Sequence, residues 1–298
     1  MFNQQFNFRI FNLVAILGLT FVLSCGGGGN KGGDGGNVYV AGTVNGYATL
    51  WKNGIPAQLS AVDSKASSVF VSGNGDVYVA GYTGVDYYYD TCRAMLWKNG
   101  IPTQLSAINS IANSVFVSGN DVYVAGYDYD YGAVLWKNGT QVVLNSTSSS
   151  YSAEACSVFV SGNGDVYAAG SEWRKSNGTS FPILWKNGIL TRLSSNYLNG
   201  ADYRAASSVF VSGNDVYVAG IGISDSSYSK SPFRATLWKN GIPTQLSANH
   251  SDAYSVFVSG NDVYVAGSEL DGRATLWKNG IPTFLSSNNA YTLSVFVK

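Results

Sequence analysis

The chain has 298 residues, enough for one large domain or two small ones. It holds 35 Gly, 20 Tyr and seven Trp, and only 12% of it is charged, which excludes a chain kept unfolded by self-repulsion and suits an all-β protein with many tight turns. Eighteen cations balance eighteen anions, so the electrostatic footprint of a nucleic-acid binder is missing.

The chain opens on MFNQQFNFR, with one cation at Arg9, followed by an apolar run from Ile10 to Val22. The run is short for a membrane span and ends in Leu23-Ser24-Cys25, so residues 1–24 read as a secretory signal. The cysteine after Leu-Ser resembles the lipobox of bacterial lipoproteins. That resemblance implies that Cys25 becomes an acylated N-terminus with two or three lipid chains, enough for firm anchoring. A plain signal with an incidental cysteine is the alternative. Residues 25–36 continue as GGGGNKGGDGG after the cysteine, a flexible tether that holds a domain off a membrane. Gly26 stands where the inner-membrane retention signal of enteric bacteria has Asp, so the expected address is the cell envelope, at the outer membrane. Cys92 and Cys156 lie in different repeats and are read as unpaired thiols.

From residue 37 onward the chain repeats itself. VYVAG begins at Val38, Val77, Val122, Val166 (as VYAAG), Val216 and Val263, and LWKNG at Leu50, Leu96, Leu135, Leu184, Leu237 and Leu276. SVFV begins at Ser68, Ser114, Ser157, Ser208, Ser255 and Ser294, at intervals of 46, 43, 51, 47 and 39 residues. A period of this length with several strand-like runs predicts propeller blades. In the second repeat strand A is 68–72, strand B 76–82, strand C 94–100 and strand D 101–105. Strands A and B are apolar on both faces, as expected for sheets stacked between neighbours. Gly-Asn joins A to B and Asn-Gly joins C to D, both strong hairpin signals. Pro56, Pro102, Pro243 and Pro282 mark strand D as the outer edge, because proline lacks a ladder N–H.

The first repeat starts at strand B, and SVFVK at 294–298 is a strand A without a successor. Together they predict an all-β, six-bladed β-propeller of four-stranded antiparallel blades over 37–298, closed by the last strand beside the N-terminal blade. An open solenoid is the alternative. SGNGDVYVAGY (72–82) resembles the core of bacterial SBBP-type propeller repeats, and VFVSGNDVYVAG is similar to the paired inner strands of Kelch and NHL blades. The resemblance implies the propeller fold and leaves the partner open, since these families bind very different ones.

Function is expected away from the repeated phrase. The A–B and C–D turns are short and nearly constant, whereas the B–C and D–A loops share the opposite face and vary. Candidate ligand-binding residues there are Asp86, Tyr87, Tyr88, Tyr89 and Asp90, then Tyr127 and Tyr129, Trp173 and Arg174, Tyr228, and His250. Tyr with short polar neighbours makes an adaptable recognition surface, and rings beside carboxylates suit carbohydrate. The expected role is a monomeric, membrane-anchored module that binds a protein or glycan partner without chemistry. Only one His is present, and no GxSxG, HExxH, P-loop or CxxC motif occurs. No cofactor, metal or nucleic acid is called for. A hydrolase or lyase acting on glycans, using Asp86 with Asp90 or Asp128 with Asp130, is one alternative; a scaffold subunit of an envelope complex is another. The six Trp of LWKNG are assigned to packing between blades. The Lys after each is assigned to keeping the edge soluble, and the Asp before strand B to starting the strand.

Overall fold

The computed structural model describes residues 37–84, 92–107, 109–144, 146, 148–193, 206–223, 233–269, 272–286 and 294–295. These form one three-stranded and five four-stranded antiparallel meanders. We number the blades in chain order. Blade 1 is Tyr39–Val44, Tyr47–Lys52 and Ile55–Gln58. Blade 2 is Ser64–Val71, Val77–Thr83, Arg93–Lys98 and Ile101–Gln104, in that order from inner to outer edge. Blades 3 to 6 repeat this order and begin at Ser110, Tyr151, Ala206 and Ser251. The Ile-Pro strands of blades 1, 2, 5 and 6 are the exposed outermost ones, where proline's missing donor costs nothing.

Turn chemistry follows the residues. The C–D turns carry Asn at φ near 51–53° and Gly near 80–82°, the two positive angles that a type I′ turn requires. The reversed Gly-Asn pair behaves differently: Gly119, Gly213 and Gly260 sit at φ 58–59°, with no positive angle at the Asn that follows, as in a type II′ turn.

The glycine of VYVAG has a separate cause. Each inner strand of blades 2 to 6 carries a bulge, between Ala66 and Ser68 and at the equivalent positions of the others. The bulge pushes a carbonyl against the neighbouring strand. A Cβ on Gly81, Gly126, Gly170 or Gly267 would fall on the carbonyl oxygen of Lys65, Ile111, Glu154 or Asp252 respectively.

Blades stack through a repeated socket. Trp97, Trp136, Trp185, Trp238 and Trp277 are each at most 1% exposed, so they are core, as expected from their register. Each clusters with the VYVAG alanine of the preceding blade: Ala41, Ala80, Ala125, Ala169 and Ala219 in turn. The methyl-sized alanine leaves room for the indole. Trp51 of blade 1 is only half-buried. Toward the axis, Phe70, Phe116, Phe159, Phe210 and Phe257 touch in succession with centroids 4.8–4.9 Å apart.

A hydrogen bond also passes from blade to blade. The hydroxyls of Ser68, Ser114, Ser157 and Ser208 accept from the backbone N–H of Val115, Val158, Val209 and Val256 at 3.2–3.3 Å. Ser255 accepts from Val295 in the same way, at 3.3 Å. The expected fourth strand of blade 1 is not seen as a paired strand among the described residues, so the six-by-four count is met by five blades.

The lysine and aspartate of the repeat are partners, a link that their separate roles in the sequence reading miss. Lys98, Lys137, Lys186, Lys239 and Lys278 reach Asp76, Asp121, Asp165, Asp215 and Asp262 at 2.7–2.9 Å. The turn Asn after each Lys donates to the same Asp and accepts from the Val N–H that follows it. The ammonium and then the Asn amide hold the Asp76 carboxyl down at about 2. Each of these Lys also lies over the Tyr of VYVAG, 5.3–5.4 Å from the ring centre. Carboxylates engaged this way form a structural girdle on the constant-turn face.

Candidate functional site

The signal residues and Cys25 lie outside the described residues, as do Asp86, Tyr87, Tyr88, Tyr89, Asp90 and Tyr228. Cys92 is buried and Cys156 half-buried, and neither is in a disulfide. The remaining candidates fall on the face of the B–C and D–A loops, and three of them converge between blades 3 and 4.

Tyr127 is the last residue but one of strand B of blade 3, which ends at Asp128, and Tyr129 follows in the tight turn to Gly132. Trp173 sits near the end of strand B of blade 4. The Tyr127 ring lies 4.8 Å from Tyr129, edge-on, and 5.8 Å from Trp173. Together with Tyr131, Asp130, Tyr151, Lys175 and the hydroxyls of Ser146, Ser149 and Ser152 they line a cleft of about 390 Å³. Tyr129 and Tyr131 stay 40% and 64% exposed, so aromatic faces are offered to solvent rather than packed away. Burial pushes the Tyr127 phenol up, and a hydrogen bond with Ser152 works against that.

Asp128, which spacing pairs with Asp130, is tied into the backbone of the turn between them. Its carboxylate is buried and accepts the N–H groups of Asp130 and Tyr131, so it builds the turn. Asp130 is the exposed carboxylate of the pair.

The second wall of the cleft rests on residues that the sequence reading passed over. Glu172 is fully buried and accepts from Arg192 at 2.8 Å (Nε) and 2.7 Å (Nη2). These two contacts, both to Glu172 Oε2, hold the guanidinium over the rings of Tyr151 and Phe181, at 4.7 and 4.1 Å. The hydroxyl of Tyr151 in turn accepts from Arg174 at 3.2 and 2.9 Å. Arg174 and then Arg192 hold the Tyr151 phenol below its usual range. Arg174, a ligand-binding candidate from sequence, is therefore a brace for Tyr151 at the cleft margin. The available signal was a departure from the repeat: Arg192 stands in strand D where Gln58, Gln104 and Gln245 stand in other blades. His250 is elsewhere, edge-on to Phe233 at 5.4 Å between blades 5 and 6, and does not line the cleft.

No protein-family model matches the chain. No curated protein matches it. Solved structures do resemble it. One is the acylaminoacyl peptidase of Pyrococcus horikoshii, at 12% identity and TM-score 0.50, covering 85% of this chain and 43% of that one. Another is the β-propeller domain of the Trilobed protease from Pyrococcus furiosus, at 9% identity and TM-score 0.48, covering 85% and 78%. A third is the SapL1 lectin in complex with alpha methyl fucoside, at 10% identity and TM-score 0.42, covering 85% and 92%. The chain thus spans under half of the peptidase it resembles. These likenesses are of fold, and the chain's own repeated antiparallel four-stranded sheets are consistent with a β-propeller. They correct one expectation. A peptidase is among the structures of this shape, so the architecture gives no ground for reading the chain as a non-enzyme.

Proposed function

We propose that this chain is an envelope protein that binds a glycan in the cleft between blades 3 and 4. The observation that carries the reading is the convergence of Tyr127, Tyr129 and Trp173 with Asp130 and three serine hydroxyls on the variable-loop face. A sugar ring has an apolar C–H face and a rim of hydroxyls. Exposed aromatic rings suit the first, and a carboxylate with hydroxyls suits the second. Isothermal titration against a panel of oligosaccharides tests it. Trp173→Ala and Tyr129→Ala are expected to weaken binding about tenfold or more, in line with loss of a buried aromatic anchor. Unchanged affinity in both variants removes the cleft from consideration.

The anchor belongs to the same proposal. Val22-Leu23-Ser24-Cys25 followed by the Gly tether supports attachment at Cys25, with the propeller standing off the membrane. In fractionated bacterial cells Cys25→Ala is expected to move the protein from the membrane to the soluble fraction. Retention in the membrane would contradict it. The lipoprotein and SBBP-type assignments rest on sequence resemblance. Closure of the ring by 294–298 is also part of this reading, supported by the bond from Val295 to Ser255.

A further inference from the structure

Beside the aromatic cleft lies a second, more open hollow of about 590 Å³, lined by Ser148, Ser150, Tyr151, Arg174, Lys175 and Ser176. The two share Tyr151 and Lys175. The outer hollow therefore carries two cations, three serine hydroxyls and the Tyr151 phenol, and no carboxylate is among its lining residues. That is a local concentration in a chain only 12% charged and of zero net charge. The nearby acid, Glu172, is fully buried and already engaged by Arg192 at 2.7 Å, so its charge is compensated. Asp130 lines the inner cleft, not the outer hollow.

From this arrangement we infer that the ligand is an acidic saccharide, its ring on the aromatic cleft and its acid group in the outer hollow. The inference rests on the cleft reading above and narrows it to a chemical class. Lys175 is exposed, so its ammonium is accessible to an anion from either cavity. Serine hydroxyls donate to the remaining anionic oxygens. Tyr151 forms the shared wall. Its oxygen accepts from Arg174, so its own O–H proton is left to donate. The acid group is a carboxylate or a sulfate ester, which present the same charged oxygens.

The test is titration of the full chain with three probes: trigalacturonate, its fully methyl-esterified form, and a sulfated galactose trisaccharide. At least one acidic probe is expected to bind about tenfold more tightly than the ester, consistent with a charge-assisted contact. Lys175→Ala is expected to abolish that difference, read as the ratio of acid to ester affinity in the variant falling to about one. Added salt is expected to weaken the acidic probe alone. Preference for one acidic probe over the other supports the inference and identifies the acid. Equal affinity for acid and ester overturns it and leaves the aromatic cleft standing. Absence of binding by all three, with other sugars also unbound, overturns the inference and the cleft reading together.

Discussion

Replacing Trp136 by alanine is expected to destabilise the protein by about 3–5 kcal/mol, the range for removing a large aromatic from a core. Its indole is fully buried against Tyr78 and Ala80 of blade 2 and Val115, Val124 and Val134 of its own blade. The strand backbone at Gly126 packs so close that a Cβ there would come within 2.9 Å of the indole Cζ3, and sheet backbone cannot readily collapse into the space. For a domain of this size the loss corresponds to a fall in Tm of about 10 °C. Urea unfolding is the second readout: the midpoint is expected to drop while the slope stays constant. Trp51→Ala is the internal control. It stands at the same point of the repeat but is half-buried, so its cost is expected to be clearly smaller. Equal costs at the two positions would mean that the socket does not set the energetics.

How far these features were legible depends on whether they recur. The blades were readable because the same four runs return six times, bounded by Asn-Gly and Gly-Asn pairs whose φ requirements leave few alternatives. Burial of the Trp series was readable for the same reason. The Lys–Asp girdle was present in the repeat but needed register to be seen. Tyr78 lies opposite Lys98, which brings Lys98 to Asp76 two residues back; nothing in the order of residues states that pairing. The cleft was half-legible. Tyr127, Tyr129 and Trp173 were chosen because loops vary, yet their meeting depends on blade 4 following blade 3 at a fixed angle. Asp128 illustrates the limit. Spacing alone made it half of a carboxylate pair, whereas the short turn to Gly132 consumes it in capping two N–H groups. Glu172 and Arg192 are twenty residues apart and occur in one blade only, so the repeat marks Arg192 as a departure from Gln but does not name Glu172 as its partner.

Deleting 294–298 is expected to destabilise the protein by about 3–6 kcal/mol, if two apolar side chains of SVFV bury as their counterparts do at 1.5–3 kcal/mol each. The ground is the serine relay. In four consecutive steps a valine N–H of one inner strand donates to the serine of the blade before, and Val295 extends the relay by a fifth step onto Ser255. Val295 therefore occupies, relative to blade 6, the place that Val256 occupies relative to blade 5. Under the closure proposed above, the inner strand that this place implies would be the missing fourth of the sheet of Tyr39–Val44, which has three strands where the others have four. Without it the inner edge of that sheet offers unpaired N–H and C=O groups. Thermal melts of the truncated chain would show the loss as a drop of about 10 °C. A second variant separates lost closure from a merely shortened chain. Placing SVFVSGN directly before Asp, substituted for Asn37, supplies the strand from the other side through the chain's own hairpin, and is expected to restore Tm to the truncated protein. A truncation that melts like the full chain, or a transplant that restores nothing, would show that the relay ends at Val295 without sealing a ring.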